Sequence, residues 1–375
     1  MVLLCMHIVE ARDRKGLEAF LQVPFTLYRE DPFFGPLPLS QQRRYFCPKN
    51  PFFLEAQVRF FVLRSGRDAL GRVAAFRNDR HLRQHQDGAG FFGFFECIND
   101  HEAAALLMDA ASEALRGWGL GILRGPMNFS TNEECGFLVE GFSLPPMLMT
   151  PYNPPYYGTL MEALGLRKAK DLLGFRMQIP QELPEKVLRV ARLARARGLR
   201  ARPIRMRQLR EELRRFQSLY NEAWKDNWGF VPISDEELRE AVRRLRPVIL
   251  PPLTVLAETQ EGEVVGFLSL VPDLNEVLRK LRGRLGPLGF LKALWLRRRI
   301  QGLRLLLLGV RRGARARGVE ALMFAQAFQG LKGLKRDFKT VEFSWVLQDN
   351  LPVIRLAQMA GARQQKRWRI YERPL

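Results

Sequence analysis

Cysteine and histidine are scarce in this sequence, with four of each among 375 residues. Cys5, Cys47, Cys97 and Cys135 lie far apart and show no C-x-x-C spacing, which excludes a disulfide framework or a zinc knuckle and fits a reducing cytoplasm. His81 and His85 would share a helix face, but no glutamate stands between them as in H-E-x-x-H. A solvated basic helix is expected there, and no metal. Long apolar runs are missing as well: Leu305–Val310, an unbroken apolar stretch, has the length of a buried strand and not of a membrane span. Met1–Val9 is apolar yet has no basic leader, and Glu10, Arg12 and Asp13 follow at once, so no signal peptide is expected. The reading is a cytoplasmic chain, soluble or peripheral to a membrane.

Positive charge is present in excess. Against 39 acidic residues stand 60 Lys and Arg, a formal net charge of +21, which calls for a polyanionic partner: nucleic acid, anionic lipid or the phosphates of a cofactor. From Lys186 to Arg215 there are 12 basic and 2 acidic residues. Arg189, Arg192, Arg195 and Arg197 alternate with Val190, Leu193 and Ala194, the pattern of an amphipathic helix with a solvated basic face. No aromatics interleave these charges, so nucleic acid is the less favoured partner.

The length suits two cores of ordinary domain size. In the first half, strands are expected at 59–64, 72–76, 90–96 and 122–124, with a helix over 101–118 capped by Asp100. In the second half, a short strand opens at Ile204–Arg205 and a helix covers 208–224. Ser234 caps a further helix, and 253–258 with 264–270 form a hairpin. Strands at 305–310, 340–346 and 367–371 are separated by helices at 320–329 and 351–359. This is an α/β chain with a mixed sheet flanked by helices. Three landmarks repeat: Asn153 and Asn350 are 197 residues apart, Gly165 and Gly361 196, and Gly71 and Gly266 195. That constancy points to an internal duplication.

Between the apolar strand and the next helix lies Arg311-Arg312-Gly313-Ala314-Arg315-Ala316-Arg317-Gly318-Val319. Backbone N–H groups at a helix start, the helix dipole and four arginines together make a receiver for phosphate. The loop is not G-x-x-x-x-G-K-[ST], so a nucleoside-triphosphate P-loop is disfavoured. Here the chain resembles the GNAT acyltransferases, whose signature is an apolar strand, R/Q-x-x-G-x-G/A and a helix. Arg315-Ala316-Arg317-Gly318-Val319-Glu320 matches all but the last position, and Asn350, Val353, Leu356, Ala357 and Gly361 fall on a second family motif. The resemblance covers about 203–375. It implies two GNAT-like domains in tandem: a degenerate one over 1–180, in which Cys97–Asp100 replaces the glycine loop, a basic linker at 181–202, and an acyl-CoA-binding domain over 203–375 with an insertion at 273–302.

By that resemblance the substrates are an acyl-CoA, acetyl or longer, and an amine, which a lipid-like molecule could carry. The thioester would lie beside Leu308, Gly309 and Val310, with its carbonyl on the Val310 N–H and its phosphates near Arg315, Arg317, Gly318 and Val319; Asn350 belongs to the same set. Glu342 and Ser344 on the neighbouring strand are the candidate proton-handling residues, and strand alternation alone accounts for them equally well. Two departures stand out. Glu320 occupies a position where relatives carry a small residue, and Ala357 stands where many place a Tyr that protonates the thiolate.

In the first half, Asn128, Asn132, Glu134, Tyr152, Asn153 and Tyr156 form a polar and aromatic cluster that is either a substrate pocket or turn chemistry. Trp224, Asn227 and Trp228 would form the facing wall or anchor a helix. The insertion 273–302 holds 8 basic and 2 acidic residues around the apolar run 287–296. It reads either as a contact to an anionic membrane or as a lid over the acyl site. The competing reading of the whole chain is an inactive basic protein of the same fold that binds nucleic acid or regulates.

Overall fold

In the computed structural model, residues 6–283 and 286–375 are described; Cys5 lies outside them. The first half runs β1 (Met6–Glu10), α1 (Arg14–Leu27), α2 (Leu39–Tyr45), β2 (Ala56–Ser65), β3 (Asp68–Asn78), α3 (Asp79–His85), β4 (Ala89–Cys97), α4 (His101–Gly117), β5 (Ile122–Gly125), β6 (Phe137–Glu140), α5 (Tyr156–Ala163) and β7 (Arg167–Gln178). The second runs α6 (Glu185–Ala196), β8 (Arg200–Pro203), α7 (Leu209–Ala223), α8 (Asp235–Leu245), β9 (Thr254–Glu258), β10 (Val264–Pro272), α9 (Asn275–Leu281), α10 (Pro287–Arg297), β11 (Gly302–Val310), α11 (Val319–Lys332), β12 (Thr340–Leu347), α12 (Leu351–Met359) and β13 (Arg363–Pro374). All strands join one mixed sheet in the order β1-β2-β3-β4-β5-β13-β7-β12-β11-β10-β9-β8, with β6 beside β13.

Local chemistry sets the boundaries. Asp100 accepts from Ala103 N and starts α4, whose Ala103, Leu107, Ala111 and Ala114 are buried. A reciprocal capping box of Ser234 and Glu237 starts α8. Every residue of β10 is buried, as suits a strand covered on both faces. The repeat landmarks take equivalent places. Gly71 on β3 faces Leu107 of α4, and Gly266 on β10 faces Val319 and Met323 of α11. Gly165 and Gly361 each end a short helix at positive φ, 78° and 87°.

Two expectations change. The amphipathic helix read around 189–197 is α6, but 181–202 does not act as a basic linker: α6 packs on α11 and β8 pairs with β9, so the stretch belongs to the second half. The opening strand of the second half is therefore Arg200–Pro203 rather than Ile204–Arg205. The boundary between the halves also crosses the sheet. β13 of the second half pairs with β5 of the first, and β7 of the first pairs with β12 of the second. The two exchanged strands run antiparallel side by side at the centre, where Leu172 faces Trp368.

The seam is closely packed. Trp368 is fully buried and its Nε1 donates to Pro151 O at 2.9 Å. A Cβ on Gly174 would lie 2.9 Å from its ring, so that position accepts only glycine. Asp171 on β7 accepts from Arg369 Nε at 2.8 Å. Because each half completes its sheet with the other's strand, unfolding should be one transition. Trp368→Ala should lower stability by about 3–5 kcal/mol while keeping a single urea transition by both fluorescence and circular dichroism. Two separated transitions would show that the halves fold independently.

Candidate functional site

β11 pairs in parallel with β12 from Gly302↔Thr340 to Leu305↔Phe343. Its pairing with β10 steps from Leu270↔Leu305 to Ser269↔Leu307, so Leu306 is the extra residue of a β-bulge. A bulge bends a strand and ends regular pairing, and here β11 leaves β12 while staying on β10 as far as Val310↔Gly266. The opening exposes backbone along one side of β11, and Leu306, Leu307 and Leu308 are half-buried in an otherwise buried strand. Trp224 closes one wall: a Cβ on Gly309 would come 2.2 Å from its ring. Trp224 stacks on Tyr220 at 4.6 Å, and the Tyr220 hydroxyl donates to Asn132 Oδ1 of the first half at 2.7 Å.

The loop after β11 ends at Gly318, which holds φ 82° and starts α11 without a side-chain cap. By contrast, Asp100, Ser234 and Asn350 cap α4, α8 and α12. The first-turn N–H groups of α11 are therefore open to an anion. Of the four arginines, Arg311 pairs with Glu222 and Glu263, and Arg312 with Asp226. Arg315 donates only to Ala223 O at 3.4 Å, and Arg317 has no ion-pair partner among the described residues. Glu320 lies in the first turn of α11. Gly318 also faces α6, where an added Cβ would come 2.8 Å from Val190.

Where β12 parts from β11, a cluster of charge is buried. Arg304 donates to Ser344 O at 3.1 and 2.9 Å, and also to Leu148 O; burial pulls it down to about 10. Lys366 bridges Glu342 Oε2 at 3.1 Å and Pro145 O at 2.8 Å, and burial lowers its pKa. Glu342 is 2% exposed. Its Oε1 and the Ser344 hydroxyl are buried with no hydrogen-bond partner among the described residues. Asp273 accepts from Leu148 N at 2.8 Å and from Asn275 N at 3.1 Å, and burial pushes it up to about 7.

The equivalent place in the first half is closed. A Cβ on Gly93 would fall 1.8 Å from Met127 O, and Met127 N donates to Phe92 O at 2.8 Å, so β4 and the chain after β5 stay in backbone contact. Phe94, at φ 51°, packs among Phe46 and Phe129. Asp100 takes the helix start that a phosphate would need. The turn at Cys97 is filled by two tyrosines: Tyr157 OH accepts from Cys97 N and Tyr156 OH donates to Cys97 O, both at 2.8 Å.

Of the polar and aromatic residues selected from the sequence, Asn132 and Trp224 are joined through Tyr220 beside the splay. Asn128 holds Phe94 N at 2.8 Å and Glu134 at 3.3 Å, and burial raises the Glu134 carboxyl. Asn227 and Trp228 line a separate cleft of about 340 Å³ with His81, His85, Asp87 and Arg124. Tyr152, Asn153 and Tyr156 do not converge there. Tyr152 OH donates to Asp31 at 2.6 Å, Asn153 bonds both backbone groups of Leu138, and Tyr156 serves the closed turn. Asn350 Oδ1 accepts from Val353 N as a helix cap. Sequence reasoning missed Arg304, Lys366 and Asp273. Arg304 could have been found as the charge inside the Gly302–Val310 strand.

No family model matches the chain. It is 31% identical over 379 aligned positions to the bacterial ceramide synthase of Caulobacter vibrioides, covering 99% of this chain and 98% of that one. It is 29% identical to the protein YghO of Escherichia coli, covering 97% and 94%. Among solved structures, a tandem GNAT protein from the clavulanic acid biosynthesis pathway superposes with a TM-score of 0.59 at 13% identity, covering 99% of this chain and 98% of that one. At that identity the likeness is one of fold.

The Asp273 carboxyl is raised in the fold above its ordinary value of 3.8 to about 7. Between those values the folded chain binds more protons than the unfolded one, so the favourable contribution is full below pH 4 and is lost as the pH rises through about 7. Stability should therefore fall from pH 5 to pH 8 by about 2–3 kcal/mol, about two pH units of that linkage. Asp273→Asn, which keeps the acceptor for Leu148 N, should flatten that slope in urea titrations across the range. A slope unchanged in the variant would assign it to other groups.

Proposed function

We propose, for a chain that belongs to the tandem GNAT acyltransferases in the family of the Caulobacter ceramide synthase, that it moves a long acyl group from coenzyme A to the amine of a lipid-like acceptor. The observation that carries this reading is the asymmetry of the duplicated site. The splay, the uncapped helix and two uncommitted arginines occur together in the second half, whereas in the first half backbone contact closes the strands and Asp100 caps the helix. A phosphate-bearing thioester can lie with its phosphates on Arg315, Arg317 and the start of α11, and its acyl end beside Leu306–Leu308. A ceramide is a long-chain amino alcohol acylated on nitrogen, and the name of the relative supports an acceptor of that class.

In the transfer, the amine nitrogen attacks the thioester carbonyl, the C–N bond forms, the C–S bond breaks and the thiol leaves. The amine gives up a proton and the thiolate takes one. We assign proton handling to Glu342 and Ser344, which carry buried oxygens without hydrogen-bond partners among the described residues where β12 leaves β11. Ala357 is fully buried and has no proton to give. Holding amine and carbonyl together in a closed site supplies much of the rate.

Rather than a lid packed over the splay, α10 lies on α9 with its apolar side in solvent. Leu288 is 82% exposed and Leu291 63%, with Phe290, Leu294 and Trp295 also exposed. Arg299 sits over the Trp295 ring at 3.7 Å, and Lys292, Arg297 and Arg298 flank it. No helix among the described residues is long and apolar enough to cross a membrane. We assign α10 to the surface of an anionic bilayer, where apolar residues enter the interface and cations meet lipid phosphates.

Thiol release from hexadecanoyl-CoA with a long-chain amino alcohol tests the reaction. Arg315→Glu/Arg317→Glu should raise KM for the thioester by about tenfold or more. Glu342→Gln/Lys366→Met, which removes the ion pair without stranding a charge, should lower kcat by roughly two to four decades. Absence of thiol release with every chain length and amine would reject the reading. Sedimentation with anionic vesicles at low salt should be lost in Trp295→Glu and in the Arg297, Arg298 and Arg299→Gln variant, and should be weak with neutral vesicles. Equal recovery with both vesicle types in all three proteins would remove the membrane assignment.

A further inference from the structure

The approach to the α11 phosphate loop has a second wall, which the transfer reaction itself does not require. α6 lies against the loop through Val190 and Ala194, the nearest side chains to Gly318. At about 100° per residue, Lys186, Arg189, Leu193 and Arg197 fall on the ridge next to Val190. Lys186, Arg189 and Arg197 are exposed and have no ion-pair partner among the described residues, whereas Arg192, further round the helix, is tied to Glu185. At the centre of this basic ridge Leu193 is 51% exposed. With Arg315 and Arg317, the ridge makes a cationic rim with an apolar centre at the mouth of the donor site. Such a rim is larger than a single nucleotide needs.

The loop itself favours a donor with fewer phosphates than coenzyme A. Glu320 sets a carboxylate in the first turn of α11, and Arg311 and Arg312 are already neutralised by Glu222, Glu263 and Asp226. Coenzyme A brings a pyrophosphate and a ribose phosphate to that place. A phosphopantetheine arm on a protein serine brings one phosphodiester, and so meets less repulsion from Glu320.

We infer that the basic ridge of α6 is a docking surface for a small acidic carrier protein that presents the acyl thioester on a phosphopantetheine arm. This rests on the acyl-transfer reading above and names the form in which the donor arrives. Carboxylates of the carrier meet Lys186, Arg189 and Arg197, an apolar side chain covers Leu193, and the arm passes Arg315 and Arg317 into the splay. The chemistry is the same as from coenzyme A: the acyl C–S bond breaks, the amide C–N bond forms and the carrier leaves as its free thiol. Charge complementarity at such a rim governs encounter and is sensitive to salt.

The test compares hexadecanoyl-CoA with a hexadecanoyl-loaded, phosphopantetheinylated acyl carrier protein on the full chain, with carrier binding followed separately by fluorescence anisotropy. Lys186→Glu/Arg189→Glu/Arg197→Glu should weaken carrier binding and lower kcat/KM for the carrier-borne donor by about tenfold or more, leaving kcat/KM for hexadecanoyl-CoA within about twofold. Leu193→Ser, which keeps the charge, should act in the same direction. The inference is overturned if the wild type neither binds the carrier nor uses its acyl group at low salt, or if the charge variant lowers both donors alike. Turnover of acyl-CoA without use of the carrier removes this inference alone. Carrier binding that depends on α6, with no amide formed from either donor, supports the docking surface and removes the acyl-transfer reading.

Discussion

The antiparallel pairing of β7 with β13 is the constraint on which the rest of the molecule depends. It joins the halves edge to edge in one sheet, and that placement lets first-half backbone complete a second-half site. Leu148 and Pro145 offer carbonyls to Arg304 and Lys366, and Asn132 reaches the Tyr220 hydroxyl beside the splay. A buried guanidinium and ammonium need such partners, because an unpaired buried charge costs several kcal/mol, of order 3–5 when one partner is removed. The charge cluster and the strand exchange therefore support each other. The exchange brings the carbonyls, and the carbonyls make the buried charges tolerable.

Duplication supplied two copies of one device, and small changes in packing separated their fates. In the second half a bulge at Leu306 releases β11 from β12, and an uncapped glycine start leaves backbone donors facing the gap. In the first half Gly93 admits the Met127 carbonyl, a phenylalanine cluster fills the space, and Asp100 satisfies the helix start from within. An acid at a helix N-terminus stabilises the helix by the same field that would hold a phosphate. In the first half that field is taken up by Asp100 itself, and the half serves as the wall that carries Asn132 and Leu148.

Much of this was legible in the sequence. The hairpins, the capped helices at Asp100 and Ser234, the Arg/Gly loop and the duplication all follow from periodicity, capping chemistry and spacing. What stayed hidden is long-range. The strand exchange leaves no local mark, since β7 and β13 read as ordinary strands whichever neighbour they take. The second half's start was set too late because a helix with so basic a face reads as a solvated connector, and only its packing on α11 shows that Ala191 and Ala194 belong to the core. Tyr152, Asn153 and Tyr156 have the residue types of a pocket, but their polar atoms serve Asp31, Leu138 and Cys97. Lys366 was overlooked because a lone lysine in a strand normally faces water, and only the exchanged strand brings it to Glu342.

The same strand exchange sets an order of events during synthesis. β13 leaves the ribosome after every other strand, yet it is the neighbour that β5 requires. The first half therefore waits, with the open edge of β5 exposed, until more than two hundred further residues have been added. Unpaired strand edges recruit other chains, so during that interval the first half carries an edge open to pairing that the finished fold no longer has.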